Sequence, residues 1–252
     1  MRAAIRIARL CVVVSGCHAV EARDEPAGDG EADQLLRAMT KTLAEAKELQ
    51  FDADHVLETI TKNGEVLQFV AESRVAVKRP DKLRSDRGPM ADTTLYYDGK
   101  SLTLFGKRSN VYSQAPAPDN LDEAIALARD TLALEAPATD LLYTNAYERL
   151  MAGVTTSTYI GLEPVGDRMC HHLAYRAREN DWQIWIENGP DKLPCRYVIV
   201  RKTVKGSPRL EVTFRKWDLS PNFSDAWFEI EPPQNAMQID LLQLKRKPVA
   251  HR

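Results

Sequence analysis

The spacing of apolar residues changes along the chain from a helical to an alternating period. Residues 31–49 carry apolar side chains three and four positions apart, which predicts an amphipathic helix with one apolar stripe. From Phe51 onward apolar and polar positions alternate, which predicts β-strands, and Asn63-Gly64 is typical of a tight hairpin. A helical segment that ends at Pro137 interrupts the alternation, which resumes at Val154 after a short third helix.

The connections between the predicted strands are short and polar, which is typical of antiparallel hairpins. About eleven strands and about three helices are expected, and the last short pieces, residues 227–233 and 237–244, are expected to pair at a sheet edge. No long linker separates the two blocks of strands. Residues 31–244 are therefore expected to form a single α+β domain.

The first residues are typical of an export signal, because three arginines precede a short apolar run over residues 10–16. Within that run, "VSGC" resembles the bacterial lipobox, and by that resemblance Cys17 would be acylated and become the mature N-terminus. The alternatives are simple cleavage after a small residue such as Ala19, or an uncleaved tail. Outside the domain, a signal with the lipobox is expected over residues 1–17, a flexible tether over residues 18–30 and a basic tail over residues 245–252.

Composition and charge narrow the classes of function. The 252 residues are 44% apolar and 28% charged, which is ordinary for a globular protein. The formal net charge is −2, whereas nucleic-acid-binding proteins usually carry a basic excess, so nucleic acid is not expected as a partner. The sequence also lacks the common nucleotide-binding and hydrolase motifs. An enzyme is therefore not expected, and neither is a cofactor.

The run Cys170-His171-His172 raises the question of a metal site. Neighbouring side chains on a strand point to opposite faces, so His171 and His172 do not readily bind one ion together. Cys170 and His172 share a face, but zinc needs three or four protein ligands, and the other histidines show no recognised spacing. We therefore expect no metal site, and a hydrolase or metalloenzyme that uses Cys170 and His172 is the distant alternative.

Cys170 and Cys195 remain in the chain after the signal, and an oxidising compartment would favour a disulfide between them. They are expected on strands two places apart, separated by about twice the 4.8 Å strand spacing. A disulfide needs Cα atoms within roughly 7 Å, so a bridge would require a bulge, a curled sheet or another strand order. The spacing favours buried free thiols, and the pairing stays open.

Several stretches resemble an uncharacterised bacterial family of predicted periplasmic proteins, domain of unknown function 2092. The similar pieces are the C-H-H-L strand, the W-Q-I-W-I-E strand, the L-P turn before Cys195, the F-x-x-x-P-P-x-x-A end and "DGKSLTLF". The resemblance covers roughly Ala32 to Leu244. That family looks like the lipoprotein carriers and receptors of the LolA and LolB type. It implies a half-open β-barrel, a strongly curved antiparallel sheet whose concave face is covered by helices around an apolar cavity.

This resemblance implies a non-enzymatic protein of the periplasm or cell envelope that binds lipid or the acyl chains of lipoproteins. Membrane association would follow if Cys17 is acylated. Ordinary core packing is the commoner role for each candidate cavity residue. The candidates for the wall are Phe51, Leu57, Leu67, Phe69, Val75, Tyr97, Leu104, Trp182, Ile184, Ile186, Tyr197, Ile199, Phe214 and Trp217, and those for the lid are Ile125, Leu132 and Leu142.

The main alternative hypothesis is an envelope sensor or scaffold that binds a protein partner, and it predicts a filled interior. The basic cluster "KRPDKLRSDR", residues 78–87, could meet anionic lipid head groups. A solvated strand edge that is guarded by charge explains the same cluster.

Overall fold

Twelve strands form one curved sheet that does not close, so the chain is a half-open barrel of α+β class, as the sequence analysis predicted. The computed structural model describes residues 30–88, 92–130 and 138–240. The strands are β1 (Glu48–Ile60), β2 (Val66–Lys78), β3 (Lys82–Gly88), β4 (Thr93–Tyr97), β5 (Ser101–Gly106), β6 (Val111–Pro116), β7 (Val154–Val165), β8 (Arg168–Ala177), β9 (Asn180–Glu187), β10 (Pro194–Arg201), β11 (Arg209–Asp218) and β12 (Met237–Gln238).

Their order in the sheet is β12-β6-β5-β4-β3-β2-β1-β11-β10-β9-β8-β7. All neighbours are antiparallel except β12 and β6, which run parallel. The two blocks of strands that the sequence pattern separates meet where β1 pairs with β11. The first strand of the chain therefore lies in the middle of the sheet, and both blocks contribute to one concave face.

In the described part of the chain, three α-helices and two 3-10 helices accompany the sheet. They are α1 (Gly30–Glu45), α2 (Leu121–Asp130) and α3 (Ala146–Met151), with 3-10 helices at Thr139–Leu142 and Asp225–Phe228. In the described ranges, no helix combines the length and apolarity needed to cross a membrane. The helix predicted over residues 31–49 ends earlier, because Glu48 already pairs with Lys78 in the sheet.

The end of the chain differs from the prediction. Residues 227–233 were expected to form a strand, but residues 229–233 are irregular and Phe228 ends a 3-10 helix. Pro232 and Pro233 have no N–H to donate to a ladder, which explains why this piece does not pair. In the predicted piece over residues 237–244, only Met237–Gln238 forms a strand among the residues that the structure describes.

Helix α1 fills the concave face over the C-terminal block. Its apolar stripe is buried and includes Leu36, Met39 and Leu43. The helix contacts β7 and β9, and the Tyr175 hydroxyl donates to the carbonyl of Ala32 at 3.2 Å. Trp182 stacks on Tyr175 with 3.8 Å between ring centroids. This half of the interior is a packed core.

The turn between β2 and β3 joins the helical elements to the sheet. Arg79 donates to the carbonyl of Leu43 in the last turn of α1 at 3.2 Å, and to the carbonyl of Leu142 in the first 3-10 helix at 2.8 Å. Burial lowers the pKa of Arg79. The next residue, Pro80, accepts a hydrogen bond from the N–H of Leu121 at the start of α2 (2.8 Å). One turn therefore positions both helices that cover the concave face.

Cys170 and Cys195 form a disulfide, so the expectation of free thiols is wrong. They lie on β8 and β10 on either side of β9, as predicted, but their Cα atoms are only 6.9 Å apart. The ladder between β10 and β9 shifts its register between Pro194 and Arg196, so Cys195 occupies a bulge. A bulge bends its strand, and the bend brings the two cysteines within reach.

Replacing both cysteines by alanine is expected to lower the free energy of unfolding by about 3.5 kcal/mol, because the bridge closes a loop with a sequence separation of 25 in the unfolded chain. Urea unfolding of the oxidised protein and of the Cys170→Ala/Cys195→Ala variant measures the difference. The reduced wild-type protein is the control and should unfold near the variant. Two thiols that react freely in the folded, unreduced protein would contradict the bridge.

Candidate functional site

A cavity of about 430 Å³ lies between the concave face of β1 to β5 and the helices α2 and Thr139–Leu142. Ligand pockets for small molecules usually have volumes of roughly 300–1,000 Å³, so this one is large enough for a single chain-like ligand. The lining residues are Phe51, His55, Ser73, Val75, Leu83, Ser85, Arg87, Thr93, Leu95, Tyr97, Leu102, Leu104, Leu121, Ala124, Ile125, Ala128, Arg129, Ala138, Thr139 and Leu142.

The strand register arranges the inner face of β1 to β5, part of which forms the cavity wall, in cross-strand rows whose polarity increases along the strands. The first row consists of Leu49, Val77, Leu83, Tyr97 and Leu102. The second row consists of Phe51, Val75, Ser85, Leu95 and Leu104. The third row consists of Ala53, Ser73, Arg87, Thr93 and Gly106. The cavity therefore has an apolar end at the first two rows and a polar end at the third.

His55 follows the third row on β1 and belongs to the polar end. Its Nε2 lies 2.7 Å from the Ser73 hydroxyl, and its side chain is only 4% exposed. Burial, with a smaller contribution from the positive charge of Arg87, lowers the pKa of His55 to about 4. The ring is therefore neutral at neutral pH. Its Nδ1 is buried and has no hydrogen-bond partner among the described residues.

Arg87 is the cation of the polar end. It sits on β3 between Ser73 of β2 and Thr93 of β4. Burial lowers its pKa. Arg129 lines the cavity from α2 and forms an ion pair with Asp140 at 3.4 Å.

Helix α2 is the cover of the cavity and is fixed at its N-terminal end. The Asn120 side chain accepts a hydrogen bond from the N–H of Glu123 at 2.9 Å and so caps the N-terminus of the helix. Asp122 accepts from the N–H of Thr144 at 3.1 Å, beyond the first 3-10 helix. From the sheet, the Tyr97 hydroxyl donates to the carbonyl of Pro118 at 2.6 Å, and burial raises the pKa of this tyrosine.

The residues that the sequence nominated for the cavity fall into separate groups. Those that line it are Phe51, Val75, Tyr97, Leu104, Ile125 and Leu142. Those that lie instead in the packed core are Trp182, Ile184, Ile186, Tyr197 and Phe214, with Ile199 and Trp217 partly buried against it. Leu132, like Cys17, lies outside the described residues. Contact between any of these residues and a ligand stays a prediction.

Three of the nominated residues lie farther along the β1–β2 hairpin. Leu57 is half-buried, whereas Leu67 and Phe69 are 46% and 43% exposed. They share the inner face of the sheet, because they alternate in step with Phe51 and Val75. Among the described residues, however, β3 pairs with β2 only from Glu72 to Lys78, so the hairpin extends beyond the described part of β3. Parity alone therefore placed them on the correct face but not at the cavity.

The polar end is not among the residues that the apolar pattern nominates. The alternation from Phe51 onward places His55 on the same strand face as Phe51, and Arg87 belongs to the basic cluster over residues 78–87. The members of that cluster separate in the fold. Lys78 forms ion pairs with Glu48 and Asp225, and Arg79 donates to helix carbonyls. Lys82 contacts Asp81 and the carbonyl of Asp98, and Arg84 pairs with Asp86. Arg87 lines the cavity.

The Cys170-His171-His172 run forms no metal site in the part of the chain that the structure describes, where no three potential ligands come together. His172 packs on Trp185 with 4.0 Å between ring centroids, in a small cluster with the disulfide. His171 lies near Tyr159 instead, 3.1 Å from its hydroxyl. Because the sulfur of Cys170 is bonded to Cys195, it is not available as a thiolate nucleophile.

The family profile described as "Predicted periplasmic protein (DUF2092)" matches residues 32–242, which confirms the resemblance found in the sequence. A search of curated proteins finds no match.

Solved structures are similar to this chain over most of both chains. An uncharacterized conserved protein from Thermus thermophilus has 13% sequence identity and a TM-score of 0.49, with 83% of this chain and 99% of that chain covered. Lipoprotein LppX from Mycobacterium tuberculosis has 12% sequence identity and a TM-score of 0.46, with 78% of this chain and 99% of that chain covered. A LolA superfamily protein from Nitrosomonas europaea has 10% sequence identity and a TM-score of 0.37, with 79% of this chain and 97% of that chain covered.

His55→Asn is expected to make the protein less sensitive to acid. The imidazole titrates near 6.5 in the unfolded chain and at about 4 in the folded one, so the unfolded state binds the proton first as the pH falls. The stability that the neutral ring contributes is therefore complete above pH 6.5 and is lost towards pH 4. The wild-type free energy of unfolding should fall by up to about 3 kcal/mol more than that of the variant.

Urea unfolding at about pH 7 and again near pH 4 measures this difference. The quantity to compare is the change in the free energy of unfolding between the two pH values, because loss of the Ser73 hydrogen bond lowers the stability of the variant at both. Parallel pH profiles for the two proteins would show that His55 is not buried as described.

Proposed function

We propose that this chain, which belongs to the DUF2092 family of predicted periplasmic proteins, is a non-enzymatic cell-envelope protein that binds an acyl chain of a lipid or lipoprotein in the cavity under α2. The observation that supports the proposal most directly is the cavity itself. It is lined mainly by aliphatic and aromatic side chains of the sheet and of α2. An apolar hollow of this kind binds hydrocarbon because the ligand leaves water.

The energetics fit reversible binding. Burial of an acyl chain contributes about 0.8 kcal/mol for each methylene, so ten to twelve methylenes contribute roughly 8–10 kcal/mol. Association costs an estimated 4–15 kcal/mol. A cavity of about 430 Å³ is better suited to one chain than to the two or three of a complete lipid anchor. One chain in this site is therefore held and released, as a carrier or receptor requires.

We further propose that the protein acts at a membrane surface. Residues 1–17 would direct export, and Cys17 would carry the lipid. The following tether over residues 18–30 would span about 20 Å as a flexible chain and at most roughly 45 Å when extended. That reach allows a domain on a tether to meet the membrane that holds its ligand.

A protein partner is the second candidate, and an exposed apolar segment favours it. Val66, Leu67, Phe69 and Val70 of β2 are 54%, 46%, 43% and 59% exposed. They lie in the part of β2 for which no pairing with β3 is found among the described residues. Exposed apolar strands are surfaces on which another chain can pair and pack.

Ala128→Trp is expected to abolish binding of acyl chains, because Ala128 lines the cavity from α2 and the indole would occupy the space of the ligand. Ala126→Trp is the matched control, since Ala126 lies on the same helix and is half-buried outside the cavity lining. Native mass spectrometry of both variants and of the wild-type protein, purified from their own envelope, measures the bound lipid. We expect at least a tenfold lower lipid occupancy for Ala128→Trp alone.

If the wild-type protein carries no lipid but a stoichiometric protein partner, the second candidate replaces the first. Equal lipid occupancy in all three proteins would place the lipid elsewhere and would contradict the proposed site. Circular dichroism of each variant confirms beforehand that the fold is retained.

Cys17→Ser is expected to release the mature protein from the membrane fraction, because a hydroxyl at this position is not acylated by the lipobox pathway. Fractionation and the intact mass of the mature protein measure the change. A wild-type mass that corresponds to cleavage near Ala19 without lipid would disprove the anchor and would leave the cavity proposal unaffected.

A further inference from the structure

We propose that two copies of this chain associate through the edge of β2, with residues 66–71 of each copy paired antiparallel about a two-fold axis at Gln68. The inference goes beyond the proposed function, because neither an acyl chain in the cavity nor an anchor at Cys17 requires a second copy. It assigns the exposed apolar side chains near the end of the β1–β2 hairpin to an interface between copies.

The hairpin has one open edge in the part of the chain that the structure describes. Strand β1 pairs with β2 along the whole of β2, up to the pair of Ile60 and Val66. The β10–β11 turn packs against the end of β1, since a Cβ at Gly206 would lie 2.9 Å from Cγ1 of Ile60. On the other side of β2, the pairing with β3 stops at Glu72. Residues 66–71 therefore form an edge strand whose outward N–H and C=O groups can pair with another strand.

This edge lacks the features that normally prevent strands from pairing. Its six residues, VLQFVA, contain no charged side chain and no proline. The register between β1 and β2 runs without a shift, so no bulge twists the edge away. The apolar side chains Val66, Leu67, Phe69 and Val70 are between 43% and 59% exposed. An unguarded apolar edge of this kind is a surface for pairing with a further strand.

The sequence of the edge is complementary to itself. A two-fold axis normal to the sheet keeps the inner faces of both copies on one side, so each residue opposes a residue of the same face. With the axis at Gln68, Val66 of one copy opposes Val70 of the other, and Leu67 opposes Phe69. An axis one residue earlier or later would place Gln68 against Val66 or against Val70. The axis at Gln68 is therefore the register that matches apolar with apolar side chains on both faces.

The charges and the length of the edge fit the same register. Glu65 opposes Ala71 of the other copy, and Glu72 opposes Gly64, so no like charges face each other. The two Gln68 side chains meet at the axis, where each amide can donate to the other and accept from it. The second strand also fits before β3 begins to pair at Glu72.

The size of the contact makes the association reversible. It involves about six residues of each copy, compared with roughly 20–30 residues on each side of a standard interface. We therefore expect a dissociation constant on the order of 10–100 μM in solution. Because the axis is normal to the sheet, the concave faces of both copies lie on the same side of the joined sheet.

Sedimentation equilibrium over about 1–500 μM protein, a range that brackets the expected dissociation constant, measures the association. All proteins carry Cys17→Ser, so no acyl anchor contributes. Gln68→Lys is expected to weaken the dimer by about 10-fold or more, because two lysines would then oppose each other at the axis. Glu58 accepts from the Gln68 side chain at 3.3 Å and can accept from a lysine as well, so the monomer keeps this contact. Leu162→Lys, at a 45% exposed position on β7, is the matched control and should associate as the parent protein does.

A second measurement tests the register by disulfide cross-linking. Gln68→Cys should form an intermolecular disulfide under mild oxidation, because residue 68 opposes its own copy with Cα atoms about 4.5–5.5 Å apart. Val66→Cys should not, because its counterpart lies four residues along the strand, roughly 13 Å away. The double variant Val66→Cys/Val70→Cys should cross-link again. Electrophoresis without reductant detects the products, and the parent protein gives the background.

Failure of Gln68→Cys to cross-link would overturn the inference, whether the protein is monomeric or associates elsewhere. Equal cross-linking of Gln68→Cys and Val66→Cys would also overturn it, because the association would then have no fixed register. The same holds if Leu162→Lys weakens the dimer as much as Gln68→Lys does. A monomer that is purified with a different protein, which Gln68→Lys releases, would assign the edge to that partner instead of a second copy. None of these readouts depends on bound lipid, so the proposed function is tested separately.

Discussion

The interior depends on one mismatch of size, between a wide curved sheet and the short helices that cover it. Twelve strands at about 4.8 Å spacing make a surface roughly 55 Å across, whereas a helix with its side chains is about 10–12 Å wide. Helix α1 packs over β7 to β9, where Leu36 and Met39 complete a packed core. Over β1 to β5 the described cover consists of α2 and Thr139–Leu142, which leave the cavity beneath them unfilled.

This division separates the packed core from the cavity, although the two share part of the sheet. The aromatic cluster of Phe51, Phe214 and Trp217, with ring centroids 4.5–5.6 Å apart, belongs to the core on one side, and Phe51 forms part of the cavity wall on the other. The wall is thus supported by the packing of the core behind it. The cover is held at the start of α2 by the carbonyl of Pro80 and the side chain of Asn120, and near Asp130 by the ion pair between Arg129 and Asp140.

Much of the fold could be predicted because alternation is a local property of the sequence. It predicted the strands from β1 to β11. It also explains why Trp182 and Trp185, three residues apart on β9, lie in the main core and in the disulfide cluster, respectively. It could not distinguish the filled half of the concave face from the hollow half, because α1 decides this through contacts distant in sequence. Trp182 and Val75 therefore appeared equivalent. The disulfide escaped prediction for a related reason, since the bulge at Cys195 arises from the pairing of β9 and β10.

The same alternation explains how one short basic segment serves two surfaces. On β3, Arg84 and Asp86 point to the outer face and pair with each other at 2.9 Å, while Ser85 and Arg87 point to the cavity. A shift of the register by one residue would exchange the two sets, burying the ion pair and exposing the cavity cation. Leu83 opposes such a shift, because its buried side chain would leave the core for solvent. The burial of Leu83 therefore helps to hold Arg87 on the inner face of the sheet, against the cost that burial imposes on the charge of Arg87.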